Sequence, residues 1–143
     1  MARTAMTSRA PLHAGFVAAG AALFIAALVT DLMYYSTAIW QWANFSAWLI
    51  TGGLILALLA GISLAVDVLV RRAGPISWLH FGLLTLAALL ALINVLIHSR
   101  DAWTSVVPEG ILLSLVVSIL LVVIGPRGWS VTAVGQRSEG GQS

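Results

Sequence analysis

Four long stretches of this 143-residue chain contain no arginine, lysine, aspartate or glutamate. These uncharged stretches cover residues 10–30, 32–66, 73–99 and 110–126. A helix that crosses the hydrocarbon core of a bilayer needs about 20 mostly apolar residues, so each stretch can supply one crossing. The sequence therefore predicts an all-α integral membrane protein, folded as an antiparallel bundle of four transmembrane helices.

Composition favours the same class, because 60% of the residues are hydrophobic and only 8% are charged, whereas soluble domains carry about 25% charged residues. The chain has no cysteine, which excludes disulfides, thiolate metal sites and thioether-linked haem. Its seven basic residues are scattered arginines rather than a patch, so no nucleic-acid partner is expected. The expected partner of the apolar surface is the lipid bilayer.

We place the predicted helices at about 12–33, 45–70, 77–98 and 107–125. They leave an N-terminal segment, 1–11, and a tail, 126–143, which we predict to be disordered because it ends in a polar stretch rich in glycine and serine. Six of the seven arginines lie before the first helix, between the second and third, or after the fourth. Cytoplasmic loops retain positive charge, so both termini are predicted to be cytoplasmic.

Small residues recur at four-residue spacing on every predicted helix. The rows are Ala18, Ala22 and Ala26; Gly53, Ala57 and Gly61; Ala87 and Ala91; and Gly110, Ser114 and Ser118. Small residues let the backbones of membrane helices approach closely, so these rows predict tight helix packing rather than the lining of a pore.

Three polar residues fall near helix ends on the predicted cytoplasmic side: His13, Asp67 and His80. Two imidazoles at similar depth on helices that run the same way are a possible axial pair for haem b. Asp67 would then orient an imidazole, or it would pair with Arg71 on the same helix. The alternative interpretation is that both histidines are structural residues at the membrane interface.

A second group of polar residues lies on the opposite side. Asp31, His98 and Glu109 are candidates for a protonatable cluster, with Arg100 in the adjoining loop. Because all of them lie at helix ends, where charge reaches water easily, we favour a structural role. Asn94 is deeper, and we expect it to form an interhelical hydrogen bond. The inward face of the third helix is predicted to carry His80, Leu84, Ala87, Ala91, Asn94 and His98.

No phosphate-binding glycine loop, nucleophile elbow or zinc-protease motif is present in the sequence, so we predict no catalytic residue and no metal site. Our first functional hypothesis is an accessory or scaffold subunit of a larger membrane complex, packed against a partner protein or a second copy through its small-residue faces and an aromatic loop, 34–42. The alternative is an electron-transfer membrane anchor that binds haem b or quinone through His13 and His80. A third hypothesis is a small transporter or channel, with flux that depends on Asp67 or Glu109.

Several residues occur in a characteristic order along the chain. They are Pro11 to His13 at the first helix, Asp31, Gly52 and Gly53, Ala60 and Gly61, Asp67, His80, Asn94, and Ser114 after Pro108. This order resembles a bacterial family of small predicted membrane proteins of unknown function. The resemblance covers residues 11–124 and implies a four-helix protein of the bacterial inner membrane. The association of family members with periplasmic oxidoreductases implies a membrane-anchor role, without an established reaction.

Overall fold

The computed structural model describes residues 11–71, 73–99 and 106–132. It contains the helices α1 (Leu12–Thr37), α2 (Trp40–Leu69), α3 (Trp78–His98) and α4 (Glu109–Gly128). Each helix is long and apolar enough to cross a membrane. The described residues form no strand, and a single isolated bridge joins Ile76 to Thr132. The prediction of an all-α protein with four spanning helices is confirmed.

The helices alternate in direction, so the bundle has two ends. We call them the Pro11 end, where α1 and α3 start and α2 and α4 finish, and the Ala38 end, where α1 and α3 finish and α2 and α4 start. α1 packs most extensively on α2 and also on α4, whereas α3 packs on α4 and less on α2. The cytoplasmic location of the Pro11 end stays a prediction. Residues 1–10 and the tail from 133 onward lie outside the described residues.

The segment between α1 and α2 is shorter than predicted. The sequence predicts an aromatic loop at 34–42, but both helices extend into it and leave two residues between them. The Thr37 hydroxyl donates to the Met33 carbonyl, one turn back along α1, at 2.7 Å. Ala38 then adopts a left-handed conformation (φ 53°) and donates its N–H to the Tyr34 carbonyl at 2.7 Å. Helices commonly end in this way, with a residue in the left-handed conformation whose N–H donates to a carbonyl of the last turn.

The end of α4 also differs from the prediction. Gly125 breaks the helix with φ 66° and ψ 170°, a conformation that favours glycine, and Pro126 follows without an N–H to donate. After one more turn the chain folds back toward the start of α3, where the Ser77 N–H donates to the Val131 carbonyl at 2.8 Å. Residues 126–132 therefore belong to the bundle and not to a disordered tail.

A glycine in α2 allows α1 and α2 to pack closely. A Cβ added to Gly53 would lie 2.6 Å from Cε1 of Phe24, whose ring is buried, and a Cβ on Gly20 would lie 3.3 Å from the Gly53 carbonyl oxygen. The small-residue row predicted for α1 is only partly buried: Ala22 is exposed, and Ala18 and Ala26 are half-buried. The buried face instead includes Gly20, Phe24, Ala27 and Asp31. Since residues 14–29 are apolar on all sides of α1, alanine spacing alone does not identify the face that packs.

We predict that Gly53→Ala lowers the stability of the purified protein in detergent by about 1–3 kcal/mol, because the added methyl group displaces the Phe24 ring. The measurement is thermal unfolding followed by tryptophan fluorescence.

Gly61→Ala is the matched control in the same helix, because a Cβ at Gly61 meets no atom within 4 Å. Removing a helical glycine there should leave the unfolding temperature unchanged or slightly higher. Equal effects of the two substitutions would contradict the close contact at Gly53.

Candidate functional site

Buried polar side chains at the Ala38 end form one hydrogen-bond network across three helices. Asp31 of α1 lies at its centre: His98 Nε2 is 2.9 Å from Oδ1, and the Ser114 hydroxyl donates to Oδ2 at 2.5 Å. The Asn94 amide donates to the Ser114 oxygen at 2.7 Å. The side chains of Asp31 and His98 are fully buried. The network therefore joins α1, α3 and α4.

The bonding partners of His98 determine how many protons the Asp31–His98 pair holds. Nδ1 of His98 lies 3.0 Å from the Asn94 carbonyl, which can only accept, so Nδ1 carries a proton. Another proton lies between Nε2 and Oδ1, because two lone pairs facing each other at 2.9 Å would repel. The pair is then either an imidazolium beside a carboxylate or two neutral groups. In both cases it brings no net charge into the apolar bundle.

The structure assembles part of the outer cluster considered from the sequence. Asp31 and His98 are in contact, whereas Glu109 lies exposed in the first turn of α4 and Arg100 is outside the described residues. Asn94 makes the expected interhelical hydrogen bond. Its partner, Ser114, was interpreted from the sequence only as a packing residue. The signal that points to it is the serine itself, since a hydroxyl inside an apolar membrane helix needs a partner.

His13 occupies the Pro11 end in a different environment. Its residue surface is 1% exposed, and neither ring nitrogen has a hydrogen-bond partner in the part of the chain that the structure describes. Asp67 of α2 lies close to the ring, but its Oδ2 is 4.0 Å from Nδ1, beyond hydrogen-bond distance. Buried polar atoms are almost always paired, so an imidazole with two unpaired nitrogens needs an explanation.

An apolar cavity of about 530 Å³ adjoins His13. It lies between α1, α2 and α3 and is lined by residues such as Phe16, Phe24, Ala57, Gly61 and Leu84. Several residues at its margin, including Leu58 and Leu89, are more than half exposed, so the cavity opens on the outer apolar surface of the bundle. We call it the His13 cleft. Its form is that of a site entered sideways from the hydrocarbon of a bilayer.

His80 does not share this cleft. Its Nδ1 lies 2.7 Å from the Ser77 hydroxyl, and its ring passes over Gly128, where a Cβ would lie 2.7 Å from Cδ2. The residue lines a separate, more polar cavity that also contains Arg127. His13 and His80 therefore belong to different cavities, a placement that does not favour haem ligation by the two together. Among the described residues, no group of three or more histidine, aspartate or glutamate side chains is placed to hold a metal ion.

The fold and its sites define a class: a small four-helix membrane protein with buried polar groups at both ends of an apolar bundle. A family model with the description "Predicted membrane protein (DUF2231)" matches residues 9–136. The chain belongs to this family, which confirms the membrane-protein family suggested by the order of its residues. Comparison with curated proteins finds no match, and comparison with solved structures finds none either.

We predict that Asp31→Ala and His98→Ala each lower the stability of the protein by about 1–3 kcal/mol, because each leaves buried partners without a hydrogen bond. The double variant should lose less than the sum of the two, since it removes both members of the pair. The measurement is the free energy of unfolding, by heat or denaturant in one detergent, of the wild-type protein, the two single variants and the double variant, which together form a double-mutant cycle.

Ser99→Ala is a suitable control for this cycle. Ser99 directly follows His98, is exposed, and its hydroxyl donates to the Leu96 carbonyl of α3. Strictly additive losses at Asp31 and His98 would show that the two side chains do not stabilise each other.

Proposed function

We propose that this membrane protein binds a lipid-soluble ligand of the quinone class in the His13 cleft. The observation that carries the proposal is the buried His13 ring, which lines the cleft and has two unpaired nitrogens among the described residues. Both nitrogens are buried in this structure, so a ligand with a polar ring and an apolar tail would pair one of them after the His13 ring or a neighbouring side chain shifts, and its tail would fill the cleft.

The dimensions and chemistry of the cleft support this ligand class. Small-molecule sites usually have volumes of about 300–1,000 Å³, mostly apolar walls and a few polar groups that set the orientation of the ligand. The His13 cleft has about 530 Å³ and walls made largely of alanine, leucine and phenylalanine. Since its margin is exposed apolar surface, an isoprenoid tail can extend from it into the surrounding lipid.

The polar end of the cleft suits a quinone oxygen. An imidazole nitrogen that carries a proton donates to a carbonyl oxygen, and the other nitrogen accepts from a quinol hydroxyl. Of the two neutral tautomers of His13, the Asp67 side chain, with Oδ2 4.0 Å from Nδ1, favours the one that carries its proton on Nδ1. His13 would therefore hold the ring of the ligand, with Asp67 as a positioning residue.

The other hypotheses from the sequence remain predictions. An accessory role beside a membrane-protein partner or a second copy is one of them, and it is compatible with a ligand-binding subunit. Haem b, transport and a location in the bacterial inner membrane are the others. Among the functions considered, we prefer quinone binding because the size and apolar lining of the His13 cleft support it.

We predict that the purified protein in lipid nanodiscs binds a short-chain benzoquinone or naphthoquinone, measured by quenching of its tryptophan fluorescence against protein-free nanodiscs. His13→Leu keeps much of the side-chain volume but removes the hydrogen bond. It should weaken binding by about tenfold, the equivalent of roughly 1.4 kcal/mol.

Gly61→Ile tests the cleft independently of His13. Gly61 lines the cleft, and a Cβ added there meets no atom within 4 Å, so the isoleucine side chain should block the ligand without disturbing the fold. Gly82→Ile is the matched control: an added Cβ at Gly82 also meets no atom within 4 Å, and Gly82 is outside the cleft. Unchanged affinity in both His13→Leu and Gly61→Ile would refute the proposed site.

A further inference from the structure

The Pro11 end contains a second cavity, of about 480 Å³, between the start of α3 and the segment that follows α4. Its polar lining residues are Ser77, His80, Arg127, Ser130 and Thr132, and the side chain of each carries at least one hydrogen-bond donor group. We propose that this cavity binds a phosphate group, either the headgroup phosphate of an anionic phospholipid or free phosphate. We call it the Arg127 pocket.

Arg127 supplies the positive charge. It lies exposed in the last turn of α4, and no ion pair joins it to a carboxylate in the described part of the chain. A guanidinium group forms paired, charge-assisted hydrogen bonds with phosphate oxygens, which are about twice as strong as neutral ones. None of the described residues that line the pocket is acidic, so no charge in its wall opposes an anion.

His80 adds a second donor. The Ser77 hydroxyl lies 2.7 Å from Nδ1, and when this hydroxyl donates, the ring proton is on Nε2. Nε2 lies beside Gly128 and has no hydrogen-bond partner among the described residues, so in this tautomer it is the ring nitrogen that would donate to a ligand oxygen. The Ser130 hydroxyl, which now donates to the Thr132 carbonyl at 3.0 Å, lies at the same pocket.

The position of the pocket favours a lipid as the source of the phosphate. Trp78 and Trp129 lie beside its lining residues at the ends of α3 and α4, and tryptophan prefers the headgroup level of a membrane. Val131, a buried residue, lines both the Arg127 pocket and the His13 cleft, so the polar pocket lies beside the apolar cleft. A lipid whose phosphate is bound by Arg127 would thus have apolar surface nearby for its acyl chains to contact.

Native mass spectrometry of the detergent-purified chain tests the proposal, with phosphatidylglycerol and phosphatidylcholine as the lipid probes. We expect wild-type protein to retain phosphatidylglycerol more strongly than phosphatidylcholine, and Arg127→Gln to weaken retention by about tenfold. His80→Gln should cause a smaller loss. Inorganic phosphate, added to protein in phosphatidylcholine nanodiscs while thermal unfolding is followed, tests the second source.

Arg71→Gln is the matched control, because Arg71 is also exposed at the Pro11 end but does not line the pocket. Selective loss of phosphatidylglycerol in Arg127→Gln supports a lipid site, and an Arg127-dependent stabilisation by inorganic phosphate alone supports a free phosphate site. Equal losses in Arg71→Gln and Arg127→Gln, or no Arg127-dependent effect of either probe, would overturn the proposal.

Discussion

The neutralisation of Asp31 is the constraint on which the arrangement of the bundle depends. An isolated carboxylate buried in an apolar bundle is strongly unfavourable because it loses its hydration. Hydrogen bonds and the charge of its partners offset this desolvation free energy, so removing the partners would destabilise the fold. Asp31 is fully buried and meets His98 of α3 and Ser114 of α4. Because these partners come from two other helices, the requirement of one side chain fixes the depth and rotation of three helices at the Ala38 end. Contacts between apolar side chains are nearly as favourable at many rotations of these helices. They therefore do not select one depth and rotation by themselves.

Among the described residues, the Pro11 end has no comparable network, and both candidate sites lie there. α2 and α3 contact each other less than the other neighbouring helices do, which leaves the His13 cleft between them. His13 itself has no hydrogen bond within the described residues, whereas His98 at the opposite end has two. A group left unpaired in a folded protein costs free energy that a ligand can recover on binding. The contrast between the two histidines therefore distinguishes a residue that stabilises the fold from one that can bind a ligand.

The sequence predicts some of these features and not others, for physical reasons. The four long stretches without charged residues predict the four helices, because a bilayer sets both the length and the polarity of a spanning segment. The inward face of α3 follows from Ala87, Ala91 and Asn94, all of which are buried. The packing face of α1 does not follow from the spacing of its alanines, since residues 14–29 are apolar on all sides of the helix. The bond between Asp31 and His98 joins residues 67 positions apart, and only the tertiary structure brings them together. The unpaired nitrogens of His13 likewise depend on what surrounds the ring.

The break at Gly125 connects a local backbone preference to the chemistry of the Pro11 end. A helix that continued straight past Gly125 would carry Arg127 and the residues after it away from α3. The positive φ of Gly125, followed by Pro126, ends the regular helix and lets Val131 bond to the N–H of Ser77. That bond brings Ser130, Val131 and Arg127 to the start of α3 beside His80, so the Arg127 pocket is created by the turn. Val131 at the same time completes the wall of the His13 cleft, and one glycine thereby shapes both cavities.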